Sequence, residues 1–144
     1  MGGGRMMPLS YLADCLSSRE TLDKYRIGFI YDIAAYLKTL EMVKTLQAKM
    51  FVPAHAAASE EIADLAQYNI GRVMEIAEEI LNLCSRPLCF ESILKKLFDE
   101  YALEMTFEQY VLVGSTVRSY LAWLKDTGRM NSLFENNMLL WQRA

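Results

Sequence analysis

The chain has 144 residues, of which 53% are apolar and 23% charged, and its formal net charge is −3. This composition is typical of a globular chain and excludes an intrinsically disordered protein or a strongly basic one. We expect no membrane span, because no apolar run approaches the roughly 20 residues that a spanning helix needs, and no secretory signal. The three cysteines, Cys15, Cys84 and Cys89, share no CxxC spacing, which predicts reduced thiols in a cytoplasmic protein.

Apolar periodicity predicts a mainly α fold with one or two short strands in its first part. A short strand is expected at 8–13, a long helix from about Asp32 to Ala48, and a brief strand at 50–52. A second long helix is expected after Ser59, which we predict to be its N-cap. Seven positions, apolar except for Asn69, alternate spacings of four and three and form a seam suited to packing on another helix: Ile62, Ala66, Asn69, Val73, Ile76, Ile80 and Leu83.

The dipeptide Arg86-Pro87 interrupts this pattern and divides the chain into two predicted domains, 1–85 and 86–144. A short helix is predicted around 93–101, and Thr106 with Gln109 fits a capping box that opens another helix. Gly128 is its expected stop. The following segment, 132–141, reads as a β-hairpin turning at two asparagines. Helices followed by a terminal hairpin predict a winged-helix-like module.

Catalysis is constrained by a single histidine, His55. A hydrolytic two-metal site needs several imidazoles and carboxylates, because each ion must be held while an open position activates water. One histidine does not supply such a site. Without further information, Asp14 is better explained as a turn or cap residue, and His55 as a loop histidine, than as metal ligands.

Three groups of residues carry a resemblance to a known family. They are Tyr11-Leu12-Ala13-Asp14-Cys15-Leu16, then Tyr31-Asp32 with Tyr36-Leu37, then Val52-Pro53-Ala54-His55-Ala56. Together they resemble the C-terminal part of a metallo-β-lactamase-fold hydrolase. Phe90–Leu94, Gln109–Leu121 and Leu139–Trp141 resemble the winged-helix-like extension found in a subgroup of that family. The resemblance covers roughly residues 9–142, and each motif is weak by itself.

The resemblance implies that residues 1–85 are a helical remnant of an αβ/βα sandwich. It also implies that Asp14 corresponds to an aspartate bridging two metal ions, zinc or iron in the parent family, and that His55 corresponds to a ligand of one ion. The parent mechanism is attack by metal-activated hydroxide on an ester, thioester or phosphoester. The family's His-X-His-X-Asp-His motif is absent, however, and alanines replace the glycines expected at positions 13 and 56. We therefore expect no tightly bound metal and no catalysis by this chain alone.

Nucleic-acid binding is the alternative suggested by a winged helix, and the charges argue against it. Residues 86–144 carry seven Lys and Arg and seven Asp and Glu side chains, so the module lacks the excess of cations that phosphate neutralisation requires.

Two hypotheses of function stand: an inactive hydrolase fragment that acts through association, and a small winged-helix interaction or regulatory module. Because the resemblance implies that half of the sandwich is missing, we expect the apolar faces at 29–52 and 62–83 to lack a partner, which predicts a homodimer or a second chain supplying the missing half.

Overall fold

The computed structural model describes residues 27–49 and 56–144. Asp14, Cys15, His55 and the strands predicted at 8–13 and 50–52 lie outside the described residues. The described part contains helices α1 (Ile33–Lys49), α2 (Ala56–Leu83), α3 (Phe90–Glu100) and α4 (Phe107–Asp126), followed by strands β1 (Met130–Glu135) and β2 (Met138–Arg143). The prediction of a mainly α protein is confirmed. Among the described residues, no helix has both the length and the apolar character needed to cross a bilayer.

Helices α1 and α2 pack against each other through the faces that their periodicity predicts. Asp32 caps α1, since its Oδ1 accepts a hydrogen bond from the Ala35 amide at 3.0 Å. Leu40 and Val43 are fully buried and pack in one cluster with Ala66 of α2. The predicted absence of a partner for these faces is therefore wrong, because the two helices cover each other. The α2 seam is not available to a symmetry mate, and self-association stays a prediction.

Ser59 is not the N-cap of α2, because the helix begins three residues earlier, at Ala56. The residues between are Ala56, Ala57 and Ala58, and alanine is the strongest helix former. A favourable cap at Ser59 does not outweigh that propensity, so helical geometry extends through it.

Residues 88–143 form a helix–turn–helix followed by a hairpin, which is the order of elements in a winged helix. Thr106 caps α4 through a 3.1 Å hydrogen bond from the Gln109 amide to its hydroxyl, as predicted. At the other end, the Arg129 amide bonds the Leu124 carbonyl and the Gly128 amide bonds the Lys125 carbonyl. This paired arrangement is a Schellman motif, and Gly128 has the positive φ of 78° that it requires.

The predicted hairpin is confirmed. Its strands are antiparallel, and Glu135 pairs with Met138 across the turn. Asn136 and Asn137 take φ values of 52° and 62°, which correspond to a tight primed turn. Trp141 forms a β-bridge with Leu88, so the hairpin is joined to the segment that precedes α3. We call residues 130–143 the wing and residues 134–138 the wing tip.

The main core lies where α2, α3, α4 and the beginning of β1 meet. It includes side chains from both sides of the predicted boundary at 85–86, among them Ile76, Ile80, Leu94, Leu121 and Met130. Within the described residues these side chains form one cluster. The division into two domains stays a prediction.

Two glycines in the described part should respond oppositely to the same substitution. Gly128→Ala should lower the free energy of unfolding by about 1–2 kcal/mol, because an L residue at φ 78° is strained. Gly71→Ala should raise it by up to about 1 kcal/mol, because Gly71 lies inside α2 with no atom within 4 Å of the added methyl. Urea denaturation measures both changes. Equal shifts of the same sign would contradict the assigned backbone conformations.

Candidate functional site

The predicted metal ligands, Asp14 and His55, both lie outside the described residues, so the structure does not bring them together or separate them. Among residues 27–49 and 56–144, no three His, Cys, Asp or Glu side chains are grouped so that they could hold a metal ion. Two exposed carboxylates of α2 are ion-paired: Glu75 lies 2.6 Å from Arg72, and Glu78 lies 2.5 Å from Arg129.

Two described thiols have contrasting environments, and both are free. Cys84 is fully buried at the end of α2, and this burial raises the pKa of its thiol to about 11. Cys89 is the N-cap of α3 and half-buried. Its sulfur lies 3.3 Å from the Ser92 hydroxyl. The Ser92 hydroxyl, and after it the nearby backbone amides at the start of α3, lower the pKa of the Cys89 thiol, because they stabilise the thiolate.

Alkylation by iodoacetamide should therefore distinguish the two thiols. The rate at Cys89 should rise with pH around a midpoint below that of an unperturbed thiol, because a lowered pKa leaves more thiolate at a given pH. Ser92→Ala should move this midpoint upward. Cys84 should stay unmodified in the folded protein. Peptide-resolved mass spectrometry over a pH series measures each rate, and a Cys89 midpoint unaffected by Ser92→Ala would contradict the assigned hydrogen bond.

A cleft of about 280 Å³ lies between the start of α3 and the middle of α4. We call it the α3–α4 cleft; it is lined by Phe90, Tyr110, Val111, Gly114, Ser115 and Arg118. The Arg118 guanidinium lies over the Phe90 ring, 3.8 Å from its centroid, a cation–π contact that holds the cation in place. Among the described residues, no carboxylate lies within ion-pair distance of Arg118. The cleft therefore combines a lining of apolar groups and two hydroxyl-bearing residues, Tyr110 and Ser115, with one positioned cation.

Tyr110, which lines the cleft, forms a pair with the carboxylate of Glu91. The Tyr110 hydroxyl donates a short hydrogen bond to Glu91 Oε1. This bond raises the pKa of Tyr110, because deprotonation would remove the donor. Glu91 is the carboxylate beside the cleft. Its Oε1 atom is the acceptor of the Tyr110 hydrogen bond.

Gly114 forms part of the cleft lining without being required by close packing. A Cβ at this position would lie 3.6 Å from Phe90 Cζ, which is ordinary van der Waals contact. A glycine inside a helix costs about 1 kcal/mol relative to alanine. Its presence leaves bare backbone where a methyl group would reduce the cleft.

Six of the eleven large apolar side chains that are exposed in the described part lie either at the beginning of α4 or in the wing at 134–139. Phe107 and Phe134 are 85% and 81% exposed. Four smaller residues in the same two places are also exposed: Val111, Leu112, Met138 and Leu139. We call these six residues the apolar surface of the module. Exposed apolar groups of this kind are typical of protein contacts.

The cations at the base of the wing face the body of the protein. Arg129 and Arg143 both approach the Glu78 carboxylate on α2, at 2.5 and 4.0 Å. Arg143 also donates to the Asn82 side chain at 3.1 Å. These contacts connect the wing to α2 and engage the cations that a nucleic-acid-binding wing would direct at phosphates.

The two tyrosines of α4 differ in burial, because Tyr120 belongs to the core and the half-buried Tyr110 packs against its margin. Tyr120 is fully buried, whereas Tyr110 lines the cleft and contacts Glu91. The cleft itself was not predicted, because no periodicity relates Phe90 to Arg118. A glycine inside a predicted helix, Gly114, is a local signal from which such an opening could have been inferred.

None of the known family models matches this chain, and neither a curated protein nor a solved structure was found to be similar to it. The resemblance to metallo-β-lactamase-fold hydrolases therefore stays a prediction from the sequence motifs.

Proposed function

We propose that this chain is a non-catalytic C-terminal region of a metallo-β-lactamase-fold hydrolase that acts through protein association, with its winged-helix module as the contacting part. The proposal rests on one observation, namely that the module exposes large apolar side chains. At the start of α4 and at the wing tip the exposed side chains include large aromatic and aliphatic groups, led by Phe107 and Phe134. Large apolar groups are favoured in protein interfaces, because their burial removes apolar surface from water.

Charge supports protein over nucleic acid as the partner. Helix α4, which would be the recognition helix of a DNA-binding winged helix, carries Glu108 and Asp126 beside Arg118 and Lys125. Duplex binding derives most of its affinity from cations that neutralise phosphates. Since Arg129 and Arg143 both approach Glu78 on α2, the cations at the base of the wing are engaged within the protein.

The hydrolase part of the proposal concerns ancestry. It rests on Asp14, His55 and the motifs around them, and the described residues offer no metal-binding group to add to it. The proposed compartment is the cytoplasm, which is consistent with the free thiols of Cys84 and Cys89.

Metal content tests the non-catalytic part of the proposal. The purified chain should contain no stoichiometric zinc or iron by elemental analysis, because two ligands cannot complete a catalytic pair of ions. An Asp14→Ala/His55→Ala variant should give the same zinc titration as the unchanged chain. Tight, stoichiometric zinc that disappears in the variant would contradict the proposal and indicate a functioning half-site.

Sedimentation velocity tests association through the apolar surface of the module. The chain should form a dimer, and Phe134→Thr should weaken it at least about tenfold if this exposed ring is an interface anchor. Tyr31→Thr is the matched control, because Tyr31 is 84% exposed but lies outside the module. Circular dichroism should show equal folding of both variants.

Two results would contradict this assignment. One is a monomer at all accessible concentrations. The other is micromolar binding of a random-sequence DNA duplex with a steep dependence on salt, which is the signature of phosphate neutralisation.

A further inference from the structure

We propose that the α3–α4 cleft receives the wing tip of a second copy of this chain, with Phe134 against its apolar lining and Glu135 paired with Arg118. This inference rests on the proposed association and names the surface and partner that produce it. It brings together two features of the described residues: the cation of the cleft, which is stacked on Phe90 without an ion-pair partner, and the exposed tip of the wing.

The cleft selects for a carboxylate beside an apolar group. Val111 and Gly114 provide an apolar surface, and Arg118 provides a cation that stacking on Phe90 already orders. An ordered guanidinium loses less side-chain entropy when it binds a carboxylate. A volume of about 280 Å³ is at the lower limit for small-molecule pockets, and it suits one or two inserted side chains better than a cofactor.

The wing tip has the complementary chemistry. Phe134 is 81% exposed, and Glu135 beside it is exposed and forms no ion pair among the described residues. The two asparagines that follow form a tight turn with positive φ values, so the strands present a defined tip. A preformed tip reduces the entropy that is lost when it is inserted.

The dimensions of the two features agree. Val111 and Arg118 are about two helical turns apart, or about 10 Å along α4. Successive side chains of a strand point to opposite faces, so the Phe134 ring and the Glu135 carboxylate extend in opposite directions and span a similar distance. A tip inserted end-on thus places its ring near Val111 and its carboxylate near Arg118.

Other adjacent pairs of an exposed aromatic and an acid are less suited to insertion. Asp32, beside Tyr31, is already the cap of α1. Glu108, beside Phe107, lies in the first turn of α4, where the helix dipole stabilises its charge. In the described part, Phe134 and Glu135 are the adjacent aromatic and acidic residues that lie at the end of a hairpin. Reciprocal insertion of two tips into two clefts would form a closed, twofold-symmetric dimer.

Charge reversal with mixing of the variants tests the pairing. Arg118→Glu and Glu135→Arg should each weaken the dimer at least about tenfold, because each places like charges together at both contacts. An equimolar mixture of the two variants should form a heterodimer with a dissociation constant within about threefold of the unchanged dimer, since both contacts then pair opposite charges. Lys125→Glu and Glu108→Arg are matched controls: they reverse exposed charges on α4 outside the cleft, and neither should weaken the dimer.

The outcomes separate this inference from the proposed function. Recovery of association only in the mixture supports the wing-tip contact, and it also shows that both variants fold. A dimer that Phe134→Thr weakens but charge reversal leaves unchanged would overturn the wing-tip contact alone. A mixture no stronger than its components would also overturn it. A monomeric unchanged chain would overturn the contact and the proposed function together.

Discussion

The burial of one face of helix α2 is the interaction on which the rest of the described structure depends. Near its beginning this face packs on α1 through Ala66, and farther along it packs on the winged-helix module through Ile76 and Ile80. Since burial of apolar area is the main favourable term in folding, a single long seam connects the two parts of the chain energetically. The wing is also anchored to α2, through Glu78, so the orientation of the wing tip depends on the same helix.

Polar contacts then position the beginning of α1 on the module. The Ile30 amide donates to the Thr116 hydroxyl at 2.9 Å, and the Ile33 amide donates to the Ser119 hydroxyl at 3.0 Å. Amides before and at the start of a helix lack intrahelical partners, and these two hydroxyls on α4 satisfy them. One side of α4 is thereby occupied by the chain's own segment, whereas the side with Val111 and Arg118 lines the cleft.

The side chains on the exposed side of α4 indicate which kind of partner the helix can bind. In a DNA-binding winged helix the exposed side of the corresponding helix would carry cations directed at phosphates. Here it carries Phe107 and Val111, and its Arg118 is stacked on an aromatic ring. The same architecture thus presents a surface suited to apolar and acidic partners. The proposed function follows from these side chains, since the fold alone does not distinguish the two uses.

The sequence by itself determined the helices, their buried faces, the Thr106 cap, the Gly128 stop and the asparagine turn. Each of these depends on residues a few positions apart, where periodicity and backbone preferences act directly. It misplaced the beginning of α2, because propensity at Ala56–Ala58 outweighed the cap predicted at Ser59. It also treated the α1 and α2 faces as lacking a partner, because the resemblance implied that the half of the sandwich covering them is missing, and periodicity does not show what covers a buried face. Only the tertiary structure decided that these faces cover each other, that Glu78 holds the wing, and that Phe90 meets Arg118 in a cleft. Such contacts join residues distant in the chain, and packing geometry determines them.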